Sequence, residues 1–222
     1  MDQDGRMVYA NLLQAYQNLS RTATGYLVRK GWRDSNVAPA DNSPLAYMIF
    51  RASEAYLNYM EADYMKNKNL DDYSKKYWRA YIKLSGVSDN YQKTIEATEL
   101  SKENDLAVLS GSQMIDKTLY NIRRERRCEF IAEGMRKDDL LRWRSLDKMK
   151  NYQTEGFSWQ EYQKEPYYVK QLAAGLVVSN SKYLRPHFAN ELIITNNGYN
   201  FEEANYLTPI SYDVFRLSTP EK

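Results

Sequence analysis

The stretch NIRRERRCEFIAEGMRKDDLLRW, from Asn121 to Trp143, decides how this sequence is interpreted. It extends an apolar stripe with the spacing of one helix face, formed by Ile115, Leu119 and Ile122. One turn later the same face carries Arg126, Glu129 and Glu133. A solvated helix places charges opposite its apolar stripe, so we expect these three side chains to be partly buried. We predict that they form a structural ion network, satisfied by one another and by neighbouring backbone.

Gly134 interrupts this stretch at a position where helices favour a left-handed residue. We therefore predict that Gly134 has a positive φ angle and separates two helices, Ser112–Glu133 and Arg136–Leu146. The apolar contacts of the second helix are expected to come from Met135, Leu140, Leu141, Trp143 and Leu146.

Nearer the N-terminus, a helix is predicted to begin at Ser43-Pro44, where a capping serine precedes proline. Its predicted core stripe consists of Leu45, Met48, Ile49, Ala52, Tyr56 and Tyr59. Asp71 and Asp72 begin a further helix, with the predicted stripe Tyr73, Tyr77, Ala80 and Leu84. The sequence thus predicts two helix hairpins packed on each other and joined by an irregular insert, Val87–Gly111.

Helical periodicity ends near residue 148, and the remaining segment is rich in aromatic residues, glycine and proline. Aromatic rings in such number can pack, so we expect ordered loops that cover the helical layer. We predict a mainly α-helical single domain, 1–222. Its helical core spans about residues 43–147, and a long, aromatic, loop-rich C-terminal layer spans about 148–222.

The charge balance excludes several classes of function. The chain has 31 basic and 29 acidic side chains, so we expect no nucleic-acid partner. No apolar run is long enough to span a bilayer. His187 is the single histidine, and we expect it to have a structural or surface role. Cys128 lies within a predicted helix, and we expect it to be a small buried hydrophobic residue.

Catalysis has little support in the sequence. Asp138 and Asp139 are adjacent, but neighbouring helical residues point about 100° apart and do not face one scissile bond. Helix capping or ion pairing is the better interpretation of this pair. We therefore predict no catalytic residues, no metal ligands and no cofactor.

Several stretches together resemble the SusD family, which includes RagB. They are SPLAYMIFRASEAYLNYMEA at Ser43–Ala62, IRRERRCEFIAEGMRKDDLLRW at Ile122–Trp143, TGYLVRK at Thr24–Lys30, KYLRPHF at Lys182–Phe188 and NYLTPI at Asn205–Ile210. The resemblance corresponds to the C-terminal part of a family member, and it implies helix hairpins of a divergent tetratricopeptide-like type. It further implies a non-catalytic, nutrient-uptake lipoprotein on the surface of the cell outer membrane. Such a protein delivers an oligosaccharide or polysaccharide to a SusC-like TonB-dependent transporter, and contacts the membrane only through an N-terminal lipid anchor that is absent from this chain.

Exposed aromatic rings can stack on sugar rings, and five candidates lie in loop-like stretches: Trp32, Trp159, Tyr162, Tyr167 and Tyr168. The resemblance places most of the family's ligand platform upstream of the matched motifs. We therefore expect the isolated chain to bind glycans weakly, with millimolar dissociation constants at best. Two alternatives remain open at this stage: a helical-repeat interaction protein that binds peptide or protein, and, less favoured, a glycosidase.

Overall fold

The computed structural model describes residues 26, 30, 49–84, 90–163, 177–185, 198–199 and 201–207. Their helices are α1 (Ala52–Asn67), α2 (Asp72–Leu84), α3 (Tyr91–Ala97), α4 (Lys117–Glu129), α5 (Arg136–Arg142) and α6 (Trp159–Gln163). Short 3-10 helices occupy Leu100–Lys102, Leu106–Val108, Asp147–Asn151 and Glu203–Tyr206. A small antiparallel hairpin pairs β1 (Leu109–Ser110) with β2 (Gln113–Met114). The protein is mainly α-helical, as predicted, and no helix in the described ranges is long and apolar enough to cross a membrane.

Side-chain caps fix the starts of three helices. The Asp71 carboxylate accepts the backbone N–H of Ser74 at 2.7 Å, at the start of α2. Asp116 accepts the N–H of Leu119 at 2.9 Å and begins α4, and the Asn90 side chain caps α3 in the same way. Each cap satisfies a backbone donor that has no partner within the first helical turn.

The α1–α2 hairpin packs through a face different from the one predicted. In α1 the buried residues are Leu57, Met60 and Glu61, whereas Tyr56 is 44% and Tyr59 is 40% exposed. The predicted stripe was therefore wrong at these two tyrosines and at Ile49, which is 91% exposed and precedes the helix, while Leu45 and Met48 lie outside the described residues. A buried carboxylate on one face and tyrosines on the other remove the polarity contrast on which the prediction depended.

The predicted stripe of α2 was wrong at Tyr73 and Ala80, whereas Tyr77 is partly buried and packs against the core as predicted. Tyr73 is 62% exposed and Ala80 is exposed, while Trp78 and Ile82 are buried. Ser74, which is small and polar, shares the buried face and donates its hydroxyl to a carboxylate of α1. The predicted helix start at Ser43-Pro44 lies outside the described residues.

Helix α4 lies at the centre of the described helices, where it packs against α1 and α3. The main core joins residues of α1 to α4 and of the adjoining turns: Leu57, Met60, Leu70, Trp78, Ile82, Tyr91, Ile122 and Phe130. The predicted irregular insert was wrong in part, because α3 and two 3-10 turns lie within Val87–Gly111. A second cluster beneath α5 consists of Leu106, Ala107, Leu140 and Trp143.

Gly134 has φ +80°, which confirms the predicted break between two helices. The boundary was wrong, because α4 ends at Glu129 and the loop before α5 also holds Ala132 at φ 64°. The predicted buried contacts of Leu140 and Trp143 are confirmed. The tetratricopeptide-like arrangement of the hairpins stays a prediction.

Candidate functional site

A buried ion pair joins α4 to α5. Arg126 is 4% and Asp139 is 3% exposed, and Arg126 Nε lies 2.8 Å and 2.7 Å from the two carboxylate oxygens. Arg126 Nη1 also donates to Asn58 on α1 at 2.7 Å. Asp139 Oδ1 also accepts from Arg142 Nε at 2.9 Å. Because the charges of Arg126 and Asp139 are removed from water, they depend on these protein partners for their compensation.

Glu61, a buried residue of α1, extends this network. Its Oε1 accepts the Trp143 indole N–H at 2.5 Å, and its Oε2 accepts from Arg142 Nη2 at 2.6 Å. Arg123, only 1% exposed, places its Nε 3.8 Å from Glu61 Oε1. Burial lowers the pKa of Arg123 to about 10, which leaves the guanidinium charged at neutral pH.

A second network surrounds Arg51, just before α1. Its guanidinium binds Glu133 through two nitrogens, at 3.0 Å and 2.8 Å, and also contacts the Glu129 carboxylate. Lys30 pairs with Glu133, and the Tyr81 hydroxyl donates to Glu129. Burial opposes ionisation of both glutamates, but these hydrogen bonds outweigh it and lower the pKa of each carboxyl.

The three residues of the predicted ion network are therefore divided between two clusters. Arg126 belongs to the cluster with Asp139, whereas Glu129 and Glu133 belong to the cluster with Arg51. In the described part of the chain, none of the hydrogen bonds of Arg126 goes to either glutamate. The Phe130 ring contacts both clusters, because its centroid lies 4.9 Å from the guanidinium carbon of Arg51 and 5.0 Å from that of Arg126. That the three residues serve folding stays a proposal.

Two further sequence predictions concern possible reactive groups. Cys128 is exposed on α4, so its assignment as a buried hydrophobe was wrong. Its neighbours in the helix make the charged contacts instead: Arg127 pairs with Asp105, and Glu129 pairs with Arg51. Asp138 is exposed and Asp139 is ion-paired, so these adjacent carboxylates point into different surroundings. The described residues contain no group of three or more histidine, cysteine and carboxylate side chains placed to hold a metal ion, and His187 lies outside them.

The five aromatic candidates for ligand binding are not brought together in the described residues. Trp159 is partly buried at the start of α6, and its backbone N–H donates to Lys182 O at 2.8 Å. The backbone of Tyr162 belongs to the same short helix. Trp32, Tyr167 and Tyr168 lie outside the described residues.

A groove that the sequence did not indicate runs between two distant segments. It has a volume of about 340 Å³, and we call it the Asn104–Gln153 groove. Its lining residues are Asn104, Asp105, Leu106, Lys148, Asn151, Tyr152 and Gln153.

Asp105 supplies the buried carboxylate of this groove. Its Oδ1 accepts from Arg136 Nη2 at 2.5 Å and from the backbone N–H of Ala107 at 3.1 Å. Arg127 Nη1 lies 2.9 Å from its Oδ2, though not along a hydrogen-bond direction. Two guanidinium groups, neither of which lines the groove, therefore compensate the charge of Asp105.

A cluster of four tyrosines is the second feature that the sequence missed. Tyr56 stacks on Tyr77 with ring centroids 4.6 Å apart, and Tyr59 meets Tyr77 edge-on at 5.7 Å. Tyr73 completes the cluster at the outer face of the α1–α2 hairpin. The Tyr59 hydroxyl donates a hydrogen bond to Asp71, which raises the pKa of Tyr59 to about 12. The recurrence of these tyrosines at helical spacing predicts a core position for them, which the exposure of Tyr56, Tyr59 and Tyr73 contradicts.

The sequence is similar to one known protein family over nearly its whole length. No curated protein and no solved structure matches the chain. The model of the SusD family matches residues 2–219, almost the full length of the 222-residue sequence. The match includes both charged networks and the helices that carry them, and it confirms the resemblance seen in the motifs. The chain belongs to the SusD family.

Proposed function

We propose that this protein captures a glycan nutrient at the outer surface of the cell outer membrane, without cleaving it, and passes it to a SusC-like TonB-dependent transporter. The observation that carries this proposal is the family match over residues 2–219. Members of the SusD family are in general carbohydrate- or nutrient-binding proteins of the outer membrane, and in general non-catalytic. An N-terminal lipid anchor is part of the same proposal.

The chemistry of the carboxylates in the two charged networks supports binding over hydrolysis. A glycosidase needs one carboxyl with a raised pKa that faces a second carboxylate across the substrate. Glu129 and Glu133 instead have lowered pKa values, because cationic and hydroxyl donors hold them in the ionised form. Asp139 and Glu61 are buried and bound to arginines of the scaffold. These four groups are used to hold helices together.

One test concerns location and partner. The protein carries a C-terminal affinity tag in the bacterium that produces it and is purified from detergent-solubilised outer membranes. We expect a TonB-dependent transporter to co-purify in equimolar amount, and to be lost when the tagged gene is replaced by an unrelated outer-membrane lipoprotein with the same tag. Recovery of the protein from the cytoplasmic fraction, or without a transporter, would contradict the proposal.

A second test separates the three functional classes. The purified protein is run by native electrophoresis in gels containing soluble polysaccharides, and the polysaccharide is then sized by chromatography. Retarded migration with unchanged polysaccharide length supports glycan capture. Shortened products indicate a glycosidase, while binding to a pool of tryptic peptides but to no polysaccharide indicates the peptide-binding alternative.

A further inference from the structure

We propose that the Asn104–Gln153 groove is a binding site for one or two sugar units of a neutral oligosaccharide. This assignment rests on the proposed glycan-binding function and adds a location to it. The site differs from the aromatic candidates suggested by sequence, and its residues come from segments on either side of the charged motif.

The dimensions of the groove suit a small ligand. Its volume of about 340 Å³ is at the lower end of the range of about 300–1,000 Å³ that is typical of small-molecule sites. One wall is the segment Asn104–Leu106, and the other is formed by the 3-10 helix Asp147–Asn151 and the two residues that follow it. A groove of this size holds the end or one short portion of a glycan chain.

The lining groups match the hydrogen-bonding pattern of sugar hydroxyls. A hydroxyl donates one hydrogen bond and accepts others, and the exposed side-chain amides of Asn104 and Asn151 offer both donors and acceptors. Lys148 adds a donor, and the Tyr152 ring adds an apolar surface for the C–H face of a sugar. This combination of amides with an aromatic ring is suited to a polyol.

The charges of the groove favour a neutral ligand. Lys148 and Asp105 are the charged residues that line it, one of each sign. The carboxylate of Asp105 is already compensated by Arg127 and Arg136, and both guanidiniums are in turn bound to it. Without a concentration of one sign of charge, the groove does not select for phosphate, nucleic acid or a polyanionic sugar.

The wall that carries Asn151 and Tyr152 is held in place by contacts with Gly198 and Tyr199. Gly198 packs so closely on Asn151 that a Cβ atom there would lie 2.7 Å from its backbone carbons. The next residue, Tyr199, donates its N–H to Met149 O at 3.2 Å and stacks on the Tyr152 ring with centroids 6.5 Å apart. A supported wall lowers the entropy lost when a ligand binds.

Two other features fit a ligand less well. In the tyrosine cluster of α1 and α2 the rings contact one another, and the Tyr59 hydroxyl is bound to Asp71. A smaller pocket of about 190 Å³ beside Arg51 is lined in part by the Glu133 carboxylate, which already binds that arginine. The Asn104–Gln153 groove combines a recess with polar groups at its surface.

The test uses saturation-transfer difference NMR with four neutral probes: maltohexaose, xylohexaose, mannohexaose and laminarihexaose. The groove variant combines Asn104→Ala, Lys148→Ala and Asn151→Ala, all at exposed side chains. Its matched control combines Gln92→Ala, Lys93→Ala and Gln113→Ala, which are also exposed and lie outside the groove. Circular dichroism checks that both variants are folded.

We expect the wild-type chain to bind at least one probe with a millimolar dissociation constant. Because three hydrogen-bonding groups are removed, the groove variant should bind about tenfold more weakly or not detectably, while the control stays within about twofold of wild type. Unchanged binding by the groove variant, or an equal loss in the control, overturns the location and leaves the proposed function standing. The groove site is overturned if no probe, at about 20 mM, receives saturation from the wild-type protein. The transporter co-purification separately decides the proposed function.

Discussion

Arg126 on α4 directs its Nε toward both carboxylate oxygens of Asp139 on α5, at 2.8 Å and 2.7 Å, with both residues buried. The pair spans the loop that contains Gly134, so it fixes how the two halves of the charged motif are placed relative to each other. Neither charge has water as an alternative partner, which makes the geometry of this loop dependent on the pair.

Asp139→Ala should therefore destabilise the protein by about 3–5 kcal/mol, because it leaves Arg126 buried without its counter-charge. The adjacent Asp138→Ala, at an exposed position of the same helix, is the control and should change the free energy of unfolding by about 0.5 kcal/mol or less. Urea denaturation followed by circular dichroism measures both. Equal stabilities for the two variants would show that the buried pair contributes nothing.

Glu129→Ala should lower the thermal midpoint at pH 7, because it removes a carboxylate that accepts hydrogen bonds from both Arg51 and Tyr81. The pKa of Glu129 is lowered in the folded protein from its ordinary value of 4.5. Its stabilising contribution is thus complete above that value and is lost as the pH falls through the lower, folded pKa. Differential scanning calorimetry should show the midpoints of wild type and variant converging below about pH 4.

The exposed Glu96→Ala serves as the control for Glu129→Ala, and its midpoint should follow that of wild type at every pH. A Glu129→Ala midpoint within about 1 °C of wild type at pH 7 would show that solvent already satisfies this carboxylate.

Glu125→Gln should raise the stability at neutral pH. Burial raises the pKa of Glu125, against the opposing effects of Arg124 and of the Trp78 indole. A carboxyl with a raised folded pKa loses stability as the pH rises from its unfolded value, so a neutral amide avoids that loss. We expect a gain of about 1–3 °C in the thermal midpoint at pH 7 and none at pH 4. A lower midpoint for Glu125→Gln at pH 7 would mean that the ionised carboxylate is required.

Gly198→Ala should disturb the structure more than Gly134→Ala. Both glycines have positive φ, and a side chain at either costs about 1–2 kcal/mol in backbone strain. Around Gly134 a Cβ would meet nothing within 4 Å, whereas at Gly198 it would collide with the backbone of Asn151. The expected signature is local: in Gly198→Ala, amide hydrogen exchange should accelerate at residues 149–152 but not in α4. Similar exchange in the two variants would show that the contact with Asn151 is not tight.

The sequence predicted those features that depend on residues close together in the chain. A glycine inside a charged helical stretch was enough to predict the break at Gly134, and two aspartates were enough to predict the start of α2. The buried faces of α1 and α2 were assigned wrongly, because Glu61 and Ser74 are polar residues that the core accepts through ion pairing and hydrogen bonding. Polarity alone does not reveal that such a partner exists.

The charged motif and the groove show the same limit for contacts between distant residues. Glu129 and Glu133 were expected to be satisfied within their own helix, but they bind Arg51, which is distant in sequence. Likewise Asn104 and Lys148 are separated by roughly 40 residues and line one groove only because the chain folds back past α5. Periodicity describes one element at a time and carries no information about which elements meet.

The position of Glu61 has a practical consequence for dividing the polypeptide. Its carboxylate joins α1 to Arg142 and Trp143, more than 80 residues away. An expression fragment that begins after α2 would retain these two residues and Arg123 but would lack the carboxylate that all three surround. Workable truncation boundaries therefore lie before α1 or beyond the motif, and a limited-proteolysis nick between α2 and α3 should leave the two pieces associated until denaturant separates them.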